Sequence, residues 1–271
     1  MYDGLNNLIF IIYVKITCNK EGTMKKIFIL FSTILLIISL GGCSMFINRK
    51  AIAEKALQEQ YGEEFVAYHT WDHGGDSFRA SMYPKADESI KFNAHVRNTG
   101  KVITDYYPTK IIAKTIIGIV SPYIDEITEE SAYYSTVGLY KFEYTSKGQV
   151  TLKDYFTNGG GDFQGYPYIY ICINTDKIKN DVSYEKEYNT YMEIFKDDEM
   201  QILKEKQLVL YFLNNQDYLS MKEDFVFRTA MTSSFDQLKG SDKEIRVKEE
   251  NGIINISLEE YIQKRKELSY E

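Results

Sequence analysis

The chain lacks the short motifs by which common classes of enzyme are identified. It contains no G-x-S-x-G, H-E-x-x-H or C-x-x-C sequence, so the standard signatures of α/β-hydrolases, zinc proteases and thioredoxin-like proteins are absent. Ser183 and Lys186 match the S-x-x-K of penicillin-interacting enzymes, but S-x-N and K-T-G are missing, and Ser183 suits a helix N-cap. The glycine run 159–161 lacks the Lys-Ser/Thr of a phosphate loop. We therefore predict no catalytic residue and no cofactor.

Cysteine is scarce, with three residues in a chain of 271. Cys18 and Cys43 belong to the N-terminal segment, and the rest of the chain holds only Cys172, which excludes an intramolecular disulfide there. Cys172 lies in an apolar stretch, 168–173, typical of a buried strand. We expect it to be a small core residue, because a catalytic thiolate needs an adjacent base and exposure.

Basic residues are fewer than acidic residues. The chain has 32 Lys and Arg and 39 Asp and Glu, which gives a net charge of −7. Removal of residues 1–42 takes away four lysines and two acidic residues, which leaves 229 residues with a net charge of −9. Such an acidic surface repels nucleic acids and anionic lipid headgroups. We therefore expect no nucleic-acid partner and no attachment to membranes through a basic patch.

Residues 24–42 have the three parts of a bacterial export signal. Met24 is followed by Lys25 and Lys26, then by the apolar run 27–40 and by two small residues. The run of 14 residues spans about 21 Å as a helix, shorter than the roughly 30 Å of a hydrocarbon core. This favours a cleaved signal peptide, and an uncleaved membrane-spanning helix is the alternative.

The sequence Leu40-Gly41-Gly42-Cys43 resembles the lipobox of bacterial lipoproteins. The resemblance implies that a signal peptidase recognises Leu40, Gly41 and Gly42, and that Cys43 becomes a lipidated N-terminus carrying diacylglycerol. Two or three acyl chains would anchor the protein stably, at about 0.8 kcal/mol for each buried CH₂. Residues 43–50 would then be a tether, and the folded part would lie on the extracytoplasmic face of the cell membrane.

The segment 1–23 lies in front of this signal, although such peptides normally begin at their own methionine. Codons for Lys20, Glu21 and Gly22 can read AAG-GAG-GGN, which resembles a ribosome-binding sequence placed one codon before Met24. This predicts that Met24 is the true start and that 1–23 is a leader from a misassigned start. The nucleotide sequence at these codons tests it.

The remaining chain divides into two predicted halves of an α+β fold, with helices packed on mainly antiparallel sheets. The half 51–128 has the pattern α-β-β-β-α, with helices at 51–60 and 108–127 and strands at 65–71, 77–82 and 90–96, followed by a short strand at 101–104. Ile90, Phe92, Ala94 and Val96 alternate with polar residues, which predicts one buried and one open sheet face.

The second predicted half covers 129–271. We expect strands at 135–144, 149–155, 166–174 and 208–213, the last covered on both faces, and a helix at 183–195. The segment 218–240 is ambiguous between helix and strand. Glu250-Asn251-Gly252 predicts a hairpin turn between 245–249 and 253–256, and Ser257 with Glu260 predicts a capping box. The sequence leaves open whether the halves form one domain.

The sequence Gln60-Tyr61-Gly62-Glu63-Glu64-Phe65 ends the first predicted helix and opens the first strand. Behind a lipobox, this phrase resembles uncharacterised lipoproteins of Gram-positive bacteria. The resemblance covers roughly the first third of the chain, and its motif is short and unspecific. It implies a location and an α+β fold and supplies no activity.

His69, His73 and His95 are the densest potential metal ligands, and Zn²⁺ would accept such imidazoles. His69 and His73 would converge on a helix, but here a strand and turn would separate them by about 13 Å along the chain, unless the turn folds them back. We therefore predict no metal and keep these three residues as weak candidates only.

Tyrosine is abundant, with 23 residues. Tyrosine rings stack on sugars, so Tyr106, Tyr107, Tyr133 and Tyr134, near predicted element ends, are candidates for an exposed aromatic platform. The alternative is that they are structural, since tyrosine is favoured in sheets and cores.

These observations favour a membrane-anchored lipoprotein that binds a protein, cell-wall or small-molecule partner without being an enzyme. A cell-envelope hydrolase with a site built from scattered residues is the first alternative. The binding subunit of an importer is the second, although the chain is short for that two-lobed architecture. A deep pocket with convergent carboxylates or histidines would favour the enzyme, and a flat aromatic patch the binding module.

Overall fold

The protein is described here by a computed structural model, which covers residues 48–137, 150–158, 167–230 and 243–269. All of these residues except Asn48 belong to one compact unit, Arg49–Glu271. They form helices packed on two mostly antiparallel sheets, so the predicted α+β class is confirmed.

The first sheet is antiparallel, and its strands pair in chain order. It follows helix α1 (Arg49–Tyr61) and consists of β1 (Phe65–Asp72), β2 (Ser77–Pro84), β3 (Phe92–Arg97) and β4 (Val102–Asp105). Phe78, Met82, Phe92 and Val96 are fully buried, together with Leu57 of α1. Since side chains alternate along a strand, the residues between them face the other side.

Helix α2 (Tyr107–Ile124) connects the two sheets. Ile112, Ile116 and Val120 on this helix are fully buried and belong to one hydrophobic core with residues of both sheets. Pro108 lies in its first turn, where its missing N–H leaves no hydrogen bond unmade.

The second sheet has the order β5-β6-β7-β8-β9, and only its β6–β7 pair is parallel. Its strands are β5 (Ser131–Thr136), β6 (Tyr168–Asn174), β7 (Glu205–Leu213), β8 (Glu244–Glu250) and β9 (Ile253–Ile254). Helices α3 (Leu152–Asn158), α4 (Tyr184–Lys196), α5 (Asn215–Ala230) and α6 (Leu258–Glu267) accompany it. All residues of β7 after Glu205 are buried, which confirms that this strand is covered on both faces.

Most predicted elements are confirmed within a few residues, and four expectations need correction. The predicted strand 149–155 is wrong, because Leu152–Asn158 is a helix capped by Thr151 and Asp154. The predicted strand 135–144 starts earlier, at Ser131, and its part after 137 lies outside the described residues. The first half has four strands, so its pattern is α-β-β-β-β-α. Helix α1 begins at Arg49, two residues before the predicted start at 51 and within the segment 43–50 that is predicted to be a tether.

Two local predictions are confirmed in detail. In the β8–β9 turn, Asn251 (φ +52°) and Gly252 (φ +80°) both have positive φ, as a tight hairpin turn of this kind requires. Ser257 and Glu260 form the reciprocal capping box at the start of α6. The ambiguous segment 218–240 is helical up to Ala230, and 231–242 and the glycine run 159–161 lie outside the described residues. Within the described ranges, no helix is long and apolar enough to cross a membrane.

Candidate functional site

The strand pairings define a second face of the first sheet, opposite the core. Arg79 pairs with Trp71 on one side and His95 on the other, and Ser81 pairs with His69 and Asn93. Cross-strand partners point to the same side of a sheet, and these pairs alternate with the buried pairs Phe78–Val96 and Met82–Phe92. We call this surface the open face and define it by six residues: His69, Trp71, Arg79, Tyr83, Asn93 and His95. Their side chains are exposed or half-buried.

Aromatic rings occupy the β1 side of the open face. The His69 and Trp71 rings lie 5.5 Å apart between centroids with an interplanar angle of 24°, and Tyr68 and Tyr83 lie 5.9 Å apart at 29°. The register shifts between Ala67 and His69, so Tyr68 is the extra residue of a β-bulge, and it is 41% exposed. The result is a patch of two stacked ring pairs that contains the only tryptophan of the chain.

Histidines occupy the β3 side. The β1–β2 turn contains Gly74 (φ +89°) and Gly75 (φ +63°), conformations that side chains rarely allow. The turn places the ring of His73 against that of His95, with centroids 4.4 Å apart at 81°. A ring nitrogen of His95, Nε2, lies 2.9 Å from Ser77 Oγ.

The three histidines therefore share one surface but not one site. His69 stacks on Trp71, whereas His73 contacts His95. The sheet geometry places the Cα atoms of His69 and His95, which lie two strands and two residues apart, at a separation of about 12 Å. Within the described residues, no group of three or more His, Cys, Asp or Glu is arranged to hold a metal ion.

The open face is cationic in an acidic protein. Arg79 is exposed in its centre, and the described residues provide no carboxylate within ion-pair distance of it. None of the four strands places Asp or Glu on this face, because Asp72 pairs opposite Phe78 and Asp105 opposite Ala94, on the core side.

Partial burial and the nearby positive charges lower the pKa of His95. Burial is the largest cause, followed by His73, Arg79 and Arg97. Arg97 itself pairs with Asp76, with Nη1 and Oδ2 3.2 Å apart. An anion bound among these groups would offset their mutual repulsion.

The candidate residues Tyr106, Tyr107, Tyr133 and Tyr134 form no exposed platform, and the structural alternative is confirmed for them. Tyr107 is only 4% exposed and Tyr134 only 2%, and the other two are half-buried. Tyr107 packs edge-on against Phe65, and Tyr134 stacks on Tyr170. These tyrosines are structural because the elements that carry them enter the two cores.

Residues 60–65 take part in a hydrogen-bonded contact with Asp105 and Tyr107. Tyr61 Oη donates to Asp105 Oδ1 at 2.8 Å, and Gln60 Nε2 donates to Oδ2 at 3.3 Å. The backbone N–H of Tyr107 donates to Asp105 Oδ1 at 3.1 Å, and its hydroxyl donates to Glu63. The end of α1 is thereby linked to the start of α2.

Other residues singled out in the sequence have structural roles. Cys172 is fully buried, and burial raises the pKa of its thiol to about 12, which confirms a core cysteine. Ser183 Oγ accepts a hydrogen bond from the Lys186 N–H at 3.2 Å, which confirms the N-cap. Leu40, Gly41, Gly42 and Cys43 lie outside the described residues.

A shallow depression of about 430 Å³ lies between α2 and α4. Its rim includes Glu126, Glu185 and Glu193 together with Lys186 and Tyr123. Because it is open and has no exposed stacked rings, it offers less to a ligand than the rings and the arginine of the open face.

Comparison with known proteins gives a fold and no activity. No protein-family model matches the chain, and no curated protein matches it. Among solved structures, the chain is similar to a DUF5037 family protein from Ruminococcus gnavus, with a TM-score of 0.59 and 16% identity. The similarity covers 80% of this chain and 98% of that one. At this identity the two proteins share an architecture, and no residue role is transferred.

Proposed function

We propose that the protein is a lipoprotein tethered to the extracytoplasmic face of the cell membrane, and that it acts as a non-enzymatic binding module through its open face. The observation that carries the binding role is the combination on one sheet face of two stacked ring pairs, Tyr68–Tyr83 and His69–Trp71, with the exposed Arg79. Exposed aromatic patches of this kind are typical of interaction surfaces.

The sequence before α1 supports the tether. Cys43 follows the signal-like segment, and α1 begins six residues later at Arg49. Six residues span at most about 22 Å when extended, so lipid on Cys43 would hold the folded part close to the membrane. The acidic body would not bind anionic headgroups by itself, and attachment would depend on the acyl chains.

Metabolic labelling tests the tether. In a Gram-positive host, the full-length chain should incorporate labelled palmitate and sediment with membranes. Cys43→Ala should lose the label, whereas Cys172→Ala is the matched control and should keep it, because its thiol is buried in the fold. A Cys43→Ala protein that still carries the label would contradict the lipoprotein assignment.

Intrinsic fluorescence tests the binding surface, because Trp71 is the only tryptophan and lies on the open face. Soluble cell-envelope fractions should shift Trp71 emission in a saturable manner. Arg79→Ala should weaken the response, while Arg246→Ala, which removes an exposed arginine from β8, should leave it unchanged. An equal response from both variants, or none with the parent chain, would remove the open face as the binding surface.

A further inference from the structure

The open face combines two kinds of side chain in an ordered arrangement. Trp71, Arg79 and His95 form one row across β1, β2 and β3, and His69, Ser81 and Asn93 form the next row. Neighbouring strands lie about 4.8 Å apart, so each row spans about 10 Å. Rings therefore lie at one end of the rows, and cationic or hydrogen-bonding groups lie at the centre and the other end.

The charge of this surface opposes that of the rest of the protein. The chain has a net charge of −7, yet β1–β4 place no acidic side chain on the open face, where Arg79 and the histidines lie. Charge complementarity therefore favours an anionic ligand.

We propose that the open face binds an anionic glycan, with sugar rings against Trp71 and Tyr83 and with carboxylate or phosphate groups at Arg79 beside His73 and His95. This rests on the proposed function, in which the open face is the binding surface, and it names the ligand class. Ring faces pack against the C–H groups of sugars, and arginine forms paired hydrogen bonds with carboxylate and phosphate.

The amide of Asn93, in the row next to Arg79, favours a glycan over an acidic polypeptide. Ser81 Oγ donates to Asn93 Oδ1 at 2.9 Å, and both residues lie in the row next to Arg79. Sugars present hydroxyl groups at every ring, so a surface that combines aromatic rings, the half-buried amide of Asn93 and a guanidinium matches them. An acidic polypeptide would chiefly use the cations.

The position of His95 beside Arg79 and His73 makes binding of an anion pH-dependent. An anion beside His95 favours its charged form and so raises a pKa that is lowered in the free protein. Binding is then coupled to proton uptake, and affinity increases as the pH falls through the pKa that His95 has in the complex. The groups that face His95 are Ser77 and Arg79 from β2, Arg97 from β3 itself, Thr104 from β4, and His73 from the turn, with Asp76 paired to Arg97.

The experiment titrates the full-length chain in mild detergent and follows Trp71 emission and calorimetric heat. The probes are polygalacturonate and a phosphate-bearing mannan as anionic glycans, dextran as a neutral glycan and polyglutamate as an acidic polypeptide. At least one anionic glycan should bind about tenfold or more tightly than dextran and polyglutamate, since one charge-assisted contact corresponds to at least that factor.

Three variants locate the contacts. Arg79→Ala should weaken binding of the anionic glycan by about tenfold, and Trp71→Ala should weaken it in the calorimetric assay. Arg246→Ala is the matched arginine control on the second sheet and should remain within about twofold of the parent. Circular dichroism verifies that each variant is folded, and Arg79→Lys supplies a variant that keeps charge but loses the planar fork.

The outcomes separate the glycan proposal from the proposed function. Failure of both anionic glycans to bind, or equal binding of polyglutamate, overturns the glycan proposal. If envelope fractions still shift Trp71 emission in that case, the binding role stands. If the parent chain carries no palmitate on Cys43, the tether is overturned, and the glycan result stays intact.

Discussion

Asp105 is a carboxyl group held at the junction of β4 and α2. Its oxygens accept hydrogen bonds from Tyr61 and Gln60 of α1 and from the backbone N–H of Tyr107. Among the described residues no cation accompanies these donors, and desolvation outweighs the hydrogen bonds, so the pKa of Asp105 is raised from 3.8 to about 6. The ionised form is therefore disfavoured where the chain joins its first sheet to α2.

The raised pKa of Asp105 predicts a specific pH dependence of stability. Because the folded pKa is the higher one, the folded state binds the proton more tightly, and the stability gained is complete below pH 3.8 and lost as the pH rises through about 6. Above pH 6, the burial of ionised Asp105 lowers the free energy of unfolding by at most about 3 kcal/mol. Asp105→Asn should therefore raise the free energy of unfolding at pH 7 by about 1–3 kcal/mol, with little gain near pH 4.

Urea unfolding of the parent and variant at a series of pH values measures this difference directly. Asp198→Asn is the control, since Asp198 is exposed and its loss should change stability equally at each pH. If Asp105→Asn lowers stability by the same amount at pH 4 and pH 7, the carboxyl group acts as a hydrogen-bond acceptor only, and the linkage argument is wrong.

At the scale of elements, local chemistry was sufficient to predict the turns and caps. The β8–β9 turn and the capping box of α6 depend on residues within four positions of one another, Asn251 with Gly252 and Ser257 with Glu260. Such features need no distant partner, because positive φ and capping hydrogen bonds are decided by the local residues.

Helix α3 shows where local reasoning fails. Val150 and Leu152 alternate with polar residues as in a strand, yet Leu152 and Tyr155, three apart, are buried as on a helix face. A segment of seven residues fits both periods. The side chain of Thr151 decides the outcome, because it accepts a hydrogen bond from the Asp154 N–H and donates to its carboxylate.

The packing between α4 and α6 could not be predicted from the sequence, because it depends on groups that are far apart in the chain. Arg265 of α6 is 3% exposed and its Nε lies 3.1 Å from Glu187 Oε2 of α4, which also accepts a hydrogen bond from Tyr261. The guanidinium lies 3.9 Å from the ring centroid of Phe212. Charged residues on short helices normally predict solvent exposure, and only the assembled fold brings these groups together.

The sequence predicts one part of the candidate site, the alternation of β3, but not the strand register. Alternation in β3 correctly placed Asn93 and His95 opposite Phe92, Ala94 and Val96. The register that aligns Trp71 with Arg79 and His95 depends on the bulge after Ala67 and on the glycine turn. Neither the pairing nor the choice of which sheet face stays uncovered follows from the pattern of one strand, so the sequence does not point to the rings of the open face.

At the scale of the molecule, one hydrophobic core joins the two sheets. Phe92 of the first sheet, Ile171 of the second and Ile116 of α2 belong to the same cluster of buried residues. A second, smaller cluster lies under α5 and contains Tyr134, Cys172 and Phe225. Because α2 supplies buried side chains to the larger core, loss of one sheet would expose apolar surface of the other.

The shared core predicts a single cooperative unfolding transition. Trp71 reports the first sheet through its fluorescence, and the fully buried Cys172 reports the second through alkylation at that site, measured by mass spectrometry. Both probes should give the same urea midpoint, as two-state unfolding requires.

Ile116→Ala should lower both midpoints together by an amount equivalent to about 2–5 kcal/mol, whereas Ile103→Ala, at a residue 41% exposed, should lower them little. A Trp71 transition that precedes Cys172 alkylation, or an Ile116→Ala effect on one probe alone, would instead show two independently folding halves, since residues that share a core cannot lose their packing separately.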